Sequence, residues 1–271
     1  MQDMRLETLQ NEMVLRNFSR KTISAYLFAN ERFLKLVKKP ADEITWADIE
    51  RYLLLMAERG LAAATRHLTV SALRFYYCGV LKRRFRFVYP KIGKHLPLII
   101  SRDDVLRMID STTNIKHKLL LVLLYSSGLR VSEAVKLKLA DIDAAKKCVF
   151  VRRGKGDKDR IVIASDMFLR LLEEFLPLRK RESEYVFYSD RVDKTHISVK
   201  TAEKVVENAA AKTGIRAYCH ALRSSFATHL IENGTDVHYV QKLLGHSSIR
   251  TTQGYLRVAD ASLLKVKSPI D

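Results

Sequence analysis

Residues 148–164, CVFVRRGKGDKDRIVIA, contain two runs of β-branched residues that flank a short turn. The turn holds Gly154, Gly156 and Asp157, residue types that favour tight reversals, so the pattern predicts a β-hairpin with Lys155 near its tip. On both sides of this stretch, apolar residues recur every three or four positions, which is the period of an amphipathic helix. The sequence therefore predicts a mainly α fold with a small antiparallel β-sheet.

The helical patterns fall into two regions, and 271 residues is a length that favours two domains over one. Residues 1–88 predict a small helical bundle. Residues 89–101 contain two prolines and a glycine with little periodicity, which is typical of a linker. Residues 102–271 then carry the hairpin between further helices, and residues 259–271 form a short C-terminal tail. We predict one domain on each side of the linker.

The chain is strongly basic, with a formal net charge of +18, and the excess is spread over both halves. An extended polyanion, nucleic acid first among them, is the partner that such a charge favours. Three widely spaced cysteines suit neither a disulfide framework nor a zinc cluster and favour a reducing, cytoplasmic location. The longest apolar run is too short to cross a bilayer, so we expect no membrane association.

The stretch CHALRSSFATHLIENG, residues 219–234, predicts a helix that buries one apolar stripe and ends near Gly234. His220 and Arg223 share a face at its amino-terminal turn, where free backbone N–H groups favour a phosphate. A histidine in such a position can also accept or donate a proton near neutral pH. Taken alone, the pair also fits a solvated polar face.

The stretch YSSGLRVSEAVKL places Arg130 between a helix end at Gly128 and the start of another helix. An arginine restrained at such a junction suits bidentate contact with a phosphate, and Glu133, three positions later, could orient it. An ordinary surface ion pair is the alternative interpretation. At the hairpin, Lys155 between two glycines is either a proton donor or part of a basic turn that grips a polyanion backbone.

The stretch LGHSSIRTTQGYL closes a helix at Gly245, presents His246, and reaches Tyr255 nine residues later. A lone tyrosine is often a half-buried aromatic, and a phenol needs nearby cations and a base before it acts as a nucleophile. Further basic side chains lie beside the buried stripe of a predicted helix in the first domain and around the predicted hairpin in the second. The predicted nucleic-acid-binding residues are Arg66, Arg74, Arg152, Arg153, Lys158 and Arg160.

Together these motifs resemble those of the tyrosine recombinases, or integrases. The resemblance is strongest to the Xer-like branch of the family, which includes archaeal members. The family's G-L-R-x-S-E, hairpin-lysine, H-x-L-R and L-G-H motifs occur in order, followed by the nucleophilic tyrosine. The matched positions are Arg130, Lys155, His220, Arg223, His246 and Tyr255. The resemblance implies a two-domain C-shaped clamp, made of a helical core-binding domain with a SAM-like fold and a catalytic domain.

The resemblance also implies the chemistry. The Tyr255 oxygen would attack a DNA phosphate, giving a covalent 3′-phosphotyrosyl link and a free 5′ hydroxyl. Arg130, Arg223 and His246 would hold the non-bridging oxygens and stabilise the added charge of the transition state.

The remaining matched residues would move protons. Lys155 would protonate the departing 5′ oxygen, and His220 would help to take the tyrosine proton. Glu133 would support the site by orienting a catalytic side chain, without contacting the phosphate itself. The sequence contains neither a carboxylate cluster with metal spacing nor a GxxxxGKS loop, so we expect no metal and no cofactor.

The partners implied are double-stranded DNA and further copies of the chain, as a homotetramer on paired sites in which the tail is exchanged between protomers. Chromosome-dimer resolution, and hence cell division, is the favoured biological role. The alternatives are a mobile-element integrase, a type IB topoisomerase-like enzyme that nicks and religates one strand, and a non-catalytic DNA-binding protein.

Overall fold

The computed structural model describes residues 3–93, 97–152, 159–192, 195–246, 248–249 and 252–255. The chain divides into two compact units, Met1–Lys94 and His95–Asp271. Among the described residues the fold is mainly α with one small antiparallel β-sheet, as the sequence predicted. No helix in the described ranges is long and apolar enough to cross a membrane.

The first unit is a bundle of helices. Its elements are α1 (Asp3–Leu15), α2 (Arg20–Val37), α3 (Trp46–Glu58) and α4 (Ala63–Arg74), which continues into a π-helical turn (Phe75–Val80). Side chains cap the starts of α2 and α3, where the first backbone N–H groups of a helix lack partners within it. Thr45 accepts from the Asp48 N–H, and the Asp48 carboxylate accepts from the Thr45 N–H at 2.9 Å, which forms a capping box for α3.

Aromatic side chains fill the core of this unit. Phe33 lies with its ring centroid 5.1 Å from that of Tyr52 and 6.0 Å from that of Tyr77, and all three are buried. The buried Asn30 side chain donates to the backbone oxygen of Ala72 at 3.3 Å, which joins α2 to α4.

The second unit holds seven α-helices among its described residues, with the sheet between the third and fourth of them. The helices are α5 (Arg102–Asp110), α6 (Ile115–Ser127), α7 (Val131–Ala134), α8 (Asp166–Phe175), α9 (Val199–Thr213), α10 (Cys219–Glu232) and α11 (Val237–Leu244). Short 3₁₀ turns occur at Leu139–Asp141 and Leu176–Leu178, and residues 252–255 form one helical turn.

The sheet contains three antiparallel strands in the order β1 (Ile142–Asp143), β2 (Cys148–Val151) and β3 (Arg160–Ile163). Strands β2 and β3 pair with Val149 opposite Val162 and Val151 opposite Arg160, which confirms the predicted antiparallel pairing. Side chains alternate between faces along a strand, so Arg160 and Val162 share the inward face of β3. Residues 153–158, where the sequence predicts the turn of the hairpin, lie outside the described residues.

Helix α6 runs through the middle of the second unit. Its residues Leu119–Leu124 are all buried, as expected for a helix that is apolar on every side. Helices α8 and α10 pack against α6, and α11 packs against α10 and β3. Helices α6 and α11 both end on a glycine in the left-handed conformation, Gly128 and Gly245, and these two ends meet at the site described next.

Candidate active site

Arg223 lies at the centre of the site, on the first turns of α10, and is only 2% exposed. Its Nη1 donates to the Gly128 carbonyl at 2.5 Å, and its Nη2 donates to the Leu244 carbonyl at 2.6 Å. Burial removes the guanidinium from water, and together with the charge of Arg130 this lowers the pKa of Arg223 to about 10. The side chain stays cationic at neutral pH and links the ends of α6 and α11.

Glu133 holds two arginines in place beside Arg223. One carboxylate oxygen accepts from Arg130 Nη1 at 2.9 Å and from Arg160 Nη1 at 2.9 Å. The other accepts from the Arg130 N–H at 2.8 Å and from Arg160 Nη2 at 2.6 Å. Burial alone would raise the pKa of Glu133, but the hydrogen bonds and charge of Arg160, with those of Arg130, lower it to about 2. All four acceptor positions of this carboxylate are therefore used.

The carboxyl end of α11 holds all three arginines. The last carbonyls of a helix have no partner within it and carry the negative end of its dipole. Here the Leu243 oxygen accepts from Arg160 Nε at 2.9 Å and the Leu244 oxygen accepts from Arg223. The Gly245 oxygen accepts from Arg130 Nη2 at 3.4 Å. Three consecutive carbonyls thus bind guanidinium groups from α10, from β3 and from the start of α7.

Both glycines are required for this arrangement. A Cβ at Gly128, which has a φ of +61°, would lie 2.3 Å from Cδ1 of the buried Phe226 ring. A Cβ at Gly245, also at +61°, would lie 2.9 Å from Cδ of Arg160. Glycine supplies the left-handed turn and leaves room for the side chain that approaches it.

His246 follows directly on Gly245 and reaches the same cluster. Its Nε2 lies 3.3 Å from Arg223 Nη2, and its Nδ1 lies 2.9 Å from Thr252 Oγ1. Partial burial and the positive charges of Arg223 and Arg130 lower the pKa of His246 to about 4. The imidazole is therefore neutral at physiological pH in this arrangement.

Tyr255 lies against His246. The two rings stack with centroids 6.1 Å apart and planes inclined by 22°. Tyr255 is 5% exposed and packs with Phe226 and Leu244 in a small apolar cluster. The helical turn that carries the tyrosine is thus docked on the end of α11 and on α10.

His220 lies at the second position of α10 and is exposed at the edge of the cluster. Loss of hydration and the positive charges of Arg223 and Arg130 lower its pKa below the ordinary 6.5. The structure therefore brings five of the six predicted catalytic residues together, and Glu133 with them. The sixth, Lys155, lies outside the described residues.

The predicted DNA-binding residues are spread over both units. Arg66 and Arg74 lie on α4 of the first unit. Arg152 is exposed and pairs with Asp141 at 2.6 Å. Arg153 and Lys158 lie outside the described residues.

Arg160 has an environment that the sequence reasoning did not anticipate, because its side chain is only 9% exposed and is bound to Glu133. This geometry favours a supporting role for Arg160. Side chains alternate between the two faces of a strand, so Arg160 shares the inward face of β3 with Val162. This alternation is the sequence signal that could have indicated its burial. Thr252 was not singled out from the sequence either, although it precedes Tyr255 by three residues, the spacing of one helical face.

This arrangement suits an oxyanion. Arg130 and Arg160 share the one Glu133 carboxylate. Arg223 is bonded to backbone carbonyls instead, so positive charge is left over within the described site. A preorganised positive charge that is shielded from water stabilises developing negative charge more strongly than the same charge in solution. A tyrosine and two histidines lie within this field.

Comparison with known proteins covers both units. Residues 6–86 match the phage integrase N-terminal SAM-like domain, and residues 99–262 match the phage integrase family. The chain is 34% identical over 261 residues to tyrosine recombinase XerA of Pyrococcus horikoshii, covering 95% of this chain and 90% of that protein. It is 35% identical over 276 residues to the putative integrase/recombinase y4qK of Sinorhizobium fredii, covering 98% and 88%.

A crystal structure of XerA recombinase superimposes with a TM-score of 0.57 at 31% identity and covers 97% of each chain. Xer-type tyrosine recombinases are therefore similar to this chain in sequence and in fold. The chain belongs to the phage integrase family, the tyrosine recombinases.

Proposed function

We propose that this chain recombines DNA at specific sites, with Tyr255 as nucleophile. The phenolic oxygen attacks a backbone phosphorus, the bond from phosphorus to the 5′ oxygen breaks, and a 3′-phosphotyrosyl link forms. Attack by the 5′ hydroxyl of another strand reverses these steps and completes the exchange. The observation that carries the proposal is the stacking of Tyr255 on His246, beside the buried guanidinium of Arg223.

In this proposal Arg130, Arg223 and His246 bind the non-bridging oxygens of the phosphate. Their support comes from the geometry, since all three converge on the carboxyl end of α11. The pentacoordinate transition state carries more negative charge than the phosphodiester, so fixed cations lower its energy more than that of the ground state.

Two further residues handle protons. We assign Lys155 the donation of a proton to the departing 5′ oxygen. We assign His220 the acceptance of the tyrosine proton, because its lowered pKa leaves it neutral and able to act as a base at physiological pH. Glu133 orients Arg130 and holds Arg160 behind it, and neither touches the reacting atoms.

We propose double-stranded DNA as the substrate, with residues 1–88 and residues 102–271, which the linker 89–101 joins, both binding it. The net charge of +18 supports a polyanionic substrate. Arg66, Arg74 and Arg152 contact the DNA backbone, together with Arg153 and Lys158 of the hairpin turn. Exchange of strands between two duplexes needs four active sites, so the working form is a homotetramer.

The favoured biological role is chromosome-dimer resolution, which the similarity to the XerA recombinases supports. Integration of a mobile element is the alternative, and the similarity to a putative integrase/recombinase supports that role.

We further propose that residues 259–271 dock on a neighbouring protomer. Truncation after residue 260 should then abolish active tetramers, and a truncated chain that still assembles and recombines would contradict the exchange.

The test uses a nicked duplex that carries the candidate site, so that the cleaved fragment diffuses away and the covalent intermediate accumulates. The protein is incubated with it in the presence of a chelator, followed by denaturing electrophoresis. We expect a covalent protein–DNA band from the wild type and none from Tyr255→Phe, which keeps the ring stacking and loses the attacking oxygen. A band that persists in Tyr255→Phe would contradict the assignment.

Two further outcomes separate the alternatives. Transfer of a labelled strand from one duplex to another supports recombination, whereas relaxation of supercoiled DNA without transfer would favour the topoisomerase-like function. Tight binding to the site without any covalent band would favour a non-catalytic DNA-binding protein.

A further inference from the structure

Thr252 is fully buried and makes a hydrogen bond to the imidazole of His246. The other ring nitrogen, Nε2, faces Arg223 Nη2 at 3.3 Å. A guanidinium can only donate hydrogen bonds, so Nε2 accepts in this arrangement. A neutral imidazole that accepts at Nε2 carries its proton on Nδ1, and the Thr252 oxygen is therefore the acceptor of the Nδ1–H.

We infer that Thr252 is a positioning residue for His246: it fixes the ring with Nε2 towards the phosphate site and keeps Nδ1 bonded in every protonation state that the reaction needs. This inference rests on the proposed function, because it gives Thr252 a role in binding the phosphate. Because Thr252 is fully buried, it acts through His246 and not by contact with the DNA or the reacting atoms.

The chemistry of the phosphate explains why such a partner is needed. Phosphate oxygens accept hydrogen bonds, so Nε2 must carry a proton when it contacts one. In the free site Nε2 is unprotonated, and a bound phosphate lets it take one proton from solvent because the anion offsets the nearby guanidinium charges. The Nδ1–H stays on the Thr252 oxygen throughout, so the ring gains a proton without turning.

A hydroxyl meets this requirement in a buried position better than an apolar group of the same shape. Valine would leave Nδ1–H unpartnered inside the protein, and a buried donor without a partner is energetically costly. The ring would then be free to rotate towards another partner. Tyr255 shares the helical turn of residues 252–255, so the same hydrogen bond also ties the nucleophile's segment to His246.

The test compares three variants by the rate of covalent complex formation on the nicked duplex in a single turnover. Thr252→Val removes the hydroxyl, and Thr252→Ser retains it. Thr228→Val is the matched control, because Thr228 is also fully buried and its Oγ1 makes no hydrogen bond among the described residues. We expect Thr252→Val to react about 10- to 100-fold more slowly, or about 1.4–2.7 kcal/mol at 1.36 kcal/mol per tenfold change, which is within the usual cost of a buried donor without a partner, with the other two close to wild type.

A double-mutant cycle separates positioning from a merely structural effect. If Thr252 acts through His246, then Thr252→Val has no further effect in a His246→Ala background. An equal slowing in both backgrounds would overturn the inference, as would wild-type rates for Thr252→Val.

The nitrogen chemical shifts of the imidazole give a readout that does not depend on activity. We expect the free wild-type protein to carry its proton on Nδ1 of His246, and a ring protonated on Nε2 alone would overturn the inference. If the wild type bound its site but formed no covalent complex, the proposed function would fail, while the shifts would still decide whether Thr252 sets the state of His246. Should Thr252→Val not fold, Thr252→Ser and the wild-type shifts carry the test.

Discussion

Replacement of Glu133 by glutamine should destabilise the second unit in a pH-dependent way. The Glu133 side chain is 9% exposed and accepts four hydrogen bonds, three of them from guanidinium nitrogens. Its pKa is about 2 in the folded protein against an ordinary 4.5. At 1.36 kcal/mol per pKa unit, this difference corresponds to about 3 kcal/mol of stability at neutral pH. The figure agrees with the usual cost of removing one partner of a buried ion pair, about 3–5 kcal/mol.

The sign of the pH dependence follows from the direction of the shift. Because the folded pKa lies below the unfolded value, the contribution of Glu133 is complete above pH 4.5. It is lost progressively as the pH falls from there through 2, and only below that pH is the carboxyl protonated in both states. Wild type and Glu133→Gln should therefore differ most at pH 7 and converge below pH 4.5.

Urea unfolding at a series of pH values between about 7 and 3.5 measures this difference. Circular dichroism follows the helices, and the fluorescence of Trp46, the one tryptophan of the chain and a residue of the first unit, serves as an internal reference. Glu207→Gln is the matched control, since Glu207 forms an exposed pair with Lys204 and such pairs contribute little. Equal midpoints for wild type and Glu133→Gln at pH 7, or a gap that stays constant down to pH 3.5, would refute the reasoning.

Two further changes test the geometry of the site. Gly128→Ala should cost about 2–5 kcal/mol in urea unfolding, because the new Cβ adds a collision with Phe226 to the left-handed strain, whereas Gly214→Ala, with open space around it, should cost only about 1–2 kcal/mol. Equal losses would contradict the packing argument. In the free protein the ring protons of His246 should titrate with a midpoint near pH 4. Because the unfolded chain already binds this proton near pH 6.5, the free energy of unfolding should decrease as the pH falls from 6.5 towards 4. Arg130→Gln should move that midpoint upward, and a wild-type midpoint at or above 6.5 would show that the arginines do not act on this ring.

The sequence predicted the fold class because local patterns carry it. β-branched runs around a glycine turn specify the pairing of β2 and β3, and an apolar run such as Leu119–Leu124 specifies a buried helix. The order of motifs then indicated which side chains belong to one site. The periodicity of apolar residues predicts which face of a helix is buried. The spacing of the last two motifs places His246 and Tyr255 in one short segment.

The contacts within the site could not be predicted in the same way. The bond from Arg223 to the Gly128 carbonyl joins residues 95 positions apart, and no local pattern encodes which helix ends meet. The basic composition around the hairpin predicts a DNA contact for Arg160, whereas the alternation along β3 places its side chain on the inward face. The role of Lys155 stays a prediction, since it lies outside the described residues.

The carboxyl end of α11 is an attachment point that all three cations of the site share. Guanidinium groups from three separate segments are bound to consecutive carbonyls of one eight-residue helix, and the chain leaves that helix directly into His246. Any force transmitted along the segment that carries the tyrosine therefore reaches all three cations at the same point. A small rotation of α11 would break one hydrogen bond to each of the three guanidinium groups at once, while Glu133 and the Gly128 carbonyl keep their own bonds, so the three cations should be loosened together and not one by one.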